Sequence, residues 1–413
     1  MSNRTSICVL CKGNKGLCGL RECPLLTRTR SMFKIYSRIV NDLDISGMTP
    51  PSAVVGEKGY PEVPLLFNIA EAVEKEKASI YDDPKAWHGK LGLKEIVELR
   101  TSMISGLLRV PVFDPWRLYE KEISLALVST TPVDSEAFLK KPPRLDLSFD
   151  SVLRPVGLIS PLQRLIIEGS PKIHRSLEKM IWDDVLARNA VIELYISGID
   201  VYVLERALSL GLLGMKKGRK LVPTRWAITA IDDIISDFLR DKVQQFEELS
   251  QPEVYYGEYL YNKFTIVLLP GTYEGIWIEV WHPRSIWAMG SRAPEIAIVR
   301  EGVKGKPRPP DGGFSAARLA VLEHLFNERR NAKFIILREV MPQYSVPLGN
   351  WHIRETVRSA LRSPPLKVNS IDEIFDLLEM RASSREAIEL FRDALNRIIS
   401  QKSILQYLNW GKE

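Results

Sequence analysis

The chain has 413 residues, 45% of them apolar and 26% charged, with a net charge of +6. That is the profile of a soluble globular protein of two or three domains, and it excludes low-complexity disorder. No apolar run reaches the roughly 18 residues of a membrane span, and the opening MSNRTSICVLCK lacks a secretory core. The expectation is a cytoplasmic protein without membrane contact, nucleoid-associated if its mild basic excess serves nucleic acid.

All four cysteines, Cys8, Cys11, Cys18 and Cys23, fall within CVLCKGNKGLCGLRECP. In an intracellular chain such crowding reads as a metal site rather than a disulfide framework. Four thiolates suit tetrahedral Zn²⁺ at Zn–S distances of about 2.3 Å. An iron–sulfur cluster takes the same ligands and stays open as the rival. Residues 1–30 are therefore expected to form a small structural zinc module, ringed by Arg4, Lys12, Lys15, Arg21, Arg28 and Arg30.

Residues 31–250 are expected to be mainly helical. The stretch TPPSAVVGEKGYPEVP reads as irregular, with Gly56, Gly59, Tyr60 and Pro61 marking a turn. LKEIVELRTSMISGLL carries Ile96, Leu99 and Met103 at helical spacing. LEKMIWDDVLARNAVIELYISG places Leu177, Ile181, Val185, Ala187 and Ile192 together, with Gly198 ending the helix and Asp200 capping the next. Then comes RKLVPTRWAITAIDD, from Arg219 to Asp233. Pro223 stops any arriving helix, Thr224 or Thr229 can cap the following one, and Ile228, Ile231, Ile235 and Phe238 give it an apolar face. Cations thus crowd a helix N-terminus, where backbone N–H groups favour anions. Arg219, Lys220, Thr224, Arg225 and Trp226 are the candidate phosphate contacts, set against a plain helix start with solvated charges.

From 251 to 385 the period shortens to two. FTIVLLP, IWIEVWHP and EIAIVREG predict an antiparallel meander. In IWIEVW, Trp277, Glu279 and Trp281 share a face, which suits either base stacking or a covering helix. FSAARLAVLEHLFNERR predicts a helix with Leu319, Leu322 and Phe326 inward, and FIILREV a buried strand. IELFRDALNRII aligns Ile388, Phe391, Leu395 and Ile398 on a closing helix within 386–413. The fold class expected is α+β, with a mainly helical N-terminal half, an antiparallel β-meander plus helices in the C-terminal half, and the small zinc module in front.

Phosphate loops, nucleophile elbows and HExxH motifs are absent, and the five histidines are scattered singly. A carboxylate site remains open. Asp232, Asp233, Glu339, His352 and Glu355 are catalytic candidates, and with Arg338 and Arg354 they could hold Mg²⁺ or Mn²⁺ and a phosphodiester. Buried Arg–Glu pairs bracing helices are the competing account. The last segment, QKSILQYL, has the spacing of a sliding-clamp-binding peptide. One helical turn gathers Ile404, Tyr407 and Leu408 into an apolar plug, and the Gln401 amide bonds beside it.

Several of these segments occur in an order that resembles the archaeal Nre DNA-repair family. They are the VG-x-x-GYP turn, PVD-x-E at Pro132–Glu136, RKLVPTRWAITAIDD, the GG-x-x-A-x-RL helix start, LRE at Leu337–Glu339, and PLG-x-W-x-x-RE-x-VR ending at Arg358. The resemblance implies a factor of the DNA-damage response that is recruited by the clamp PCNA through its tail, and the basic residues around 219–226 add the expectation that it binds DNA or nucleotide. The alternative expectation is a metal-dependent nuclease or nucleotide-processing phosphoesterase.

Overall fold

A computed structural model of the chain describes residues 42–143, 156–285, 288, 291–303 and 311–400. They fall into two compact units. One takes the described residues up to Phe238 together with Val346–Trp351, and the other takes Leu239–Ser345 and the described residues from His352 onward. The four cysteines and the 401–408 peptide lie outside the described residues.

The first unit overturns the expectation of a mainly helical N-terminal half. Its frame is β1 (Asp44–Thr49), β2 (Val54–Val55), β3 (Glu62–Glu71), β4 (Ile104–Pro111), β5 (Val133–Leu139) and β6 (Leu158–Ile167), in the order β1-β5-β6-β4-β3-β2. β1 pairs with β3 as well as β5, so five strands close into a barrel and β2 lies against β3 outside the closure. β4 and β6 run parallel, and the other pairs are antiparallel. The physical reason is a period of two: Val63, Leu65, Phe67 and Ile69 are buried on alternate residues of β3, and Val133, Ser135, Ala137 and Leu139 repeat the pattern on β5. Closure needs a residue without a side chain. A Cβ on Gly47 would stand 2.5 Å from the Ala70 carbonyl oxygen, where β1 meets β3.

Short helices α1 (Lys75–Ala78), α2 (Pro84–Trp87), α3 (Leu93–Thr101), α4 (Trp116–Glu120) and α5 (Ile123–Val128) fill the connections. α3 is shorter than its periodicity predicts, because from Ile104 the chain becomes β4. Four further helices follow: α6 (Arg175–Trp182), α7 (Ala187–Ile196), α8 (Val201–Ser209) and α9 (Thr224–Val243), the last of 20 residues. The single helix expected over 177–198 is two, since Asp183 and Leu186 leave the helical backbone angles. Asp200 caps α8 by accepting the Tyr202 amide, as its sequence predicts.

The second unit is a mixed sheet. After the short β7 (Glu247–Glu248) come β8 (Glu253–Tyr259), β9 (Asn262–Leu269), β10 (Glu274–Trp281) and β11 (Glu295–Glu301). Next are α10 (Gly312–Glu328), β12 (Arg330–Asn331), β13 (Lys333–Val340), α11 (Trp351–Leu361), β14 (Leu366–Lys367), α12 (Ile371–Arg381) and α13 (Arg385–Ser400). The order β11-β10-β13-β9-β8-β14 corrects the simple meander, because β13 inserts between β9 and β10 and pairs parallel with β10. α10 supplies the crossover that a parallel neighbour requires. On one face Ile276, Ile278, Ile335 and Leu337 pack with Leu378 of α12 and Phe391 and Leu395 of α13. On the other, Phe334 stacks on Phe314 of α10, with ring centroids 6.3 Å apart, and Trp277 is fully buried.

One buried charge ties α10 to the sheet. Arg318 donates to both carboxylate oxygens of Glu301, at 2.7 and 2.6 Å, and the Tyr273 hydroxyl donates to the same group at 2.8 Å. Burial pushes the Glu301 carboxyl up, and the Arg318 guanidinium holds it down against that push. Arg318→Met should therefore cost about 3–5 kcal/mol in urea unfolding, because it takes the two short charged bonds from a buried carboxylate and leaves it the Tyr273 hydroxyl and a longer contact to Arg240 at 3.5 Å. Adding Glu301→Leu should recover most of the loss. A single variant as stable as the parent would show that the pair does not brace the helix.

Candidate nucleic-acid interface

The run Met215–Trp226 contains five cations, Lys216, Lys217, Arg219, Lys220 and Arg225, and no acid. Its backbone is fixed before any ligand arrives. Leu221 N–H donates to the Val112 carbonyl at 2.9 Å, and Val222 N–H donates to the Ser209 carbonyl at 2.9 Å. The Pro223 carbonyl then accepts from Trp226 and Ala227, which starts α9. Thr224 is buried, and its Oγ1 accepts the Val55 amide at 2.8 Å, stitching the helix start to β2.

The cations divide by direction. Arg219 turns inward: Nε donates to Gly214 O at 2.8 Å, Nη1 to Ile181 O at 2.7 Å and Nη2 to Asp183 O at 2.8 Å. Two of those acceptors close α6, where a cation also meets the negative end of the helix dipole. Burial lowers the Arg219 pKa, with Asp184 opposing. Lys220, one residue on, is exposed and holds its ammonium 4.9 Å from the centre of the Phe113 ring. Arg225 is exposed and pairs with Glu57 of the glycine turn, Nε to Oε1 at 2.9 Å. Lys216 and Lys217 are exposed on a 3-10 turn whose first N–H donates to Asp184 at 2.7 Å. Trp226 is 56% exposed beside Arg225.

Aromatic rings lie against this run in two groups. Tyr60 and Phe113 meet edge to face at 5.8 Å, and both are largely exposed. Trp116, Tyr119 and Trp182 form a second group, with Trp116 at 5.0 Å from Tyr119 and 5.5 Å from Trp182. The Arg219 guanidinium carbon lies 5.8 Å from the Trp116 ring, so the buried cation backs the group. Trp182 is 55% exposed. Large apolar surface left to solvent on a folded unit commonly marks a binding site. Sequence reading missed Phe113, Trp116, Tyr119, Trp182 and Glu57. The one local signal was the aromatic density of FDPWRLY; the rest comes from segments far apart in the chain.

The second group of candidates lies in the second unit and is held by protein partners. Arg338 bonds Glu279, the Asn262 side-chain oxygen (2.7 and 3.0 Å) and His352 Nε2 (3.1 Å). Burial raises the Glu279 pKa, Arg338 pulls it back and Asp311 raises it further. Glu339 accepts the Ser383 amide and lies 3.0 Å from His282 Nε2. Glu355 pairs with Arg358 at 2.7 Å, and Arg354 is fully buried. Asp232 and Asp233 sit on α9 in the first unit, Asp232 fully buried. Among the described residues no group of three or more His, Cys, Asp or Glu side chains could hold a metal ion. No helix among them is long and apolar enough to cross a membrane.

Comparison with known proteins adds the kinship. A family model for the archaeal Nre N-terminal region matches residues 17–288, and one for the archaeal Nre C-terminal region matches 300–407. The chain is 34% identical over 389 residues to the DNA repair protein NreA of Archaeoglobus fulgidus, covering 92% of this chain and 94% of that protein. It is 31% identical over 389 residues to the DNA repair protein NreB of the same organism, covering 91% and 93%. Against the DNA repair protein NreA of Haloferax volcanii it is 33% identical over 339 residues, 79% of this chain and 80% of that one. No solved structure matches the chain.

The inward and outward cations should separate in a stability measurement. Arg219→Ala removes three charged bonds, two of them to the buried carbonyls of Gly214 and Ile181 and one to the half-buried carbonyl of Asp183, and should cost about 2–4 kcal/mol, at roughly 1 kcal/mol or more for each charged bond lost. Lys220→Ala should stay within about 0.5 kcal/mol, as exposed substitutions do. Equal losses in urea melts would contradict this division.

Proposed function

The chain belongs to the archaeal Nre family, and from that premise we propose that it acts in DNA repair by binding nucleic acid on the first unit. The carrying observation is the run Lys216–Trp226, whose outward cations stand on a backbone locked by Thr224 and Arg219. Phosphate contacts of this kind supply affinity by releasing condensed counterions. Lys216, Lys217, Lys220 and Arg225 are the contacts, and Arg219 builds the surface that presents them. Arg225 enters through an exchange: Glu57 holds it until a phosphate takes its place, which is inexpensive because exposed ion pairs contribute only about 0–1 kcal/mol.

Two further parts belong to the same reading. Cys8, Cys11, Cys18 and Cys23 bind one structural Zn²⁺, supported by a spacing that permits a closed four-thiolate shell. Gln401, Ile404, Tyr407 and Leu408 dock on the sliding clamp PCNA, supported by the spacing of the peptide.

Replacing Lys216, Lys217 and Lys220 with Ala should weaken DNA binding and flatten its dependence on log salt by about 0.9 per lost duplex contact, or about 0.7 per single-strand contact. Glu57→Gln should act oppositely, strengthening binding by up to about fivefold as Arg225 is released. Fluorescence anisotropy across a salt series reads both. An unchanged slope in the triple variant would exclude this surface as the phosphate contact. Deleting residues 401–413 should abolish clamp binding and leave the melting temperature and DNA affinity as they were. Clamp binding at parental strength by the truncated chain would refute the tail assignment.

A further inference from the structure

Phosphate attraction explains the cations and leaves the aromatic rings unexplained. Five aromatic side chains stand in two groups, each linked to the basic run by one of its residues: Lys220 over Phe113, and Arg219 beside Trp116. Tyr60, Phe113 and Trp182 are 67%, 53% and 55% exposed, although each is an apolar ring that a folding chain would gain by covering. Their orientation is not loose. Trp182 ends α6, whose last carbonyls are gripped by Arg219, and Tyr119 meets it edge-on at 5.5 Å. Phe113 follows Val112, whose carbonyl is held by the Leu221 amide.

Exposed rings on rigid supports, next to outward cations, match the needs of a strand whose bases are unpaired. In a duplex the base faces are already stacked on one another and only edges and phosphates meet a protein. In a single strand each base offers a free π-face, and stacking it on an aromatic side chain is worth about 1–3 kcal/mol. Resting on the reading that this surface binds nucleic acid, we infer that it selects single-stranded DNA, with unpaired bases stacking on Trp182 in one ring group and on Phe113 and Tyr60 in the other. The outward cations of the run hold the phosphates of the same strand. A protein partner would also use buried aromatics, but it would not call for five cations in the run Lys216–Arg225 beside them.

The test uses the full chain and three probes: an oligo(dT) strand, an abasic strand with the same number of phosphates, and a duplex of the same length. The expected result is tighter binding of oligo(dT) than of either other probe, by about tenfold. Trp182→Ala and Phe113→Ala should each lower oligo(dT) affinity about fivefold or more, at the scale of one lost stack, and leave abasic-strand affinity unchanged. Trp182→Phe should restore most of the loss, since a smaller ring still stacks. If Trp182→Ala impairs folding in a melting scan, the comparison of oligo(dT) with the abasic strand on the unmodified protein still decides. Equal affinity for those two strands overturns stacking while the phosphate reading stands. Preference for the duplex overturns single-strand selection. Failure to bind any of the three probes overturns the nucleic-acid reading itself, and the rings then serve a protein partner.

Discussion

The first unit's surface depends on one buried guanidinium. Arg219 reaches the carbonyls of Gly214, Ile181 and Asp183, which belong to a turn and a helix end far apart in sequence. Without those bonds the end of α6 would leave buried acceptors unsatisfied, an expense that secondary structure at this break cannot cover. With them, the break after Trp182, the turn at 214–218 and the entry to α9 become one rigid piece. The cation–aromatic surface is built on that piece. Its charge is used structurally, and its neighbours Lys216, Lys217 and Lys220 carry theirs outward.

The second unit uses charge differently. Its family-like segments supply Arg338, Glu339, His352, Arg354 and Glu355, and the fold buries all of them. Arg338 lies opposite Glu279 on adjacent parallel strands, so register alone brings them together. Glu339, one residue on, points to the opposite face and meets Ser383 between α12 and α13. Alternation along β13 therefore sends successive charged side chains of one motif to different layers. A network of this kind confers a defined arrangement of helices on the sheet, and breaking one member costs more than an apolar replacement of the whole would.

How much of this could be read in the sequence depends on where each signal resides. Strong local periodicity survived: FIILREV is the central strand β13, and Phe391, Leu395 and Ile398 do line the buried face of α13. The barrel was misread for two physical reasons. EVPLLFNIAE has period-two burial, but Pro64 and the preceding glycines masked it as irregular, and on the edge of the β2 pairing that proline is tolerated. LKEIVELRTSMISGLL keeps helical spacing through Met103, yet β4 begins at Ile104 because Leu107, Leu108 and Val110 find better pairing along β3. Tertiary pairing outweighed local propensity there, as it does for strands generally. The Trp277 face of β10 satisfied both of its sequence readings, and only the covering helix α10 decided between them.

The cation–aromatic surface was half legible for a related reason. Charge is visible in sequence, but direction is not. Arg219 and Lys220 are adjacent and chemically similar, and nothing local says that one faces three carbonyls while the other faces a phenyl ring. Direction was set by Val112 and Ser209, more than ten residues away on either count, through the bonds that fix residues 221 and 222. The rings were invisible for the converse reason: Tyr60, Phe113 and Trp182 are unremarkable singly and become a surface only when three separate connections converge. A basic stretch is thus weak evidence for a nucleic-acid site until its supports are known. Here the supports make the difference, because a rigid backbone presents cations and rings without a further entropic cost of ordering them on binding.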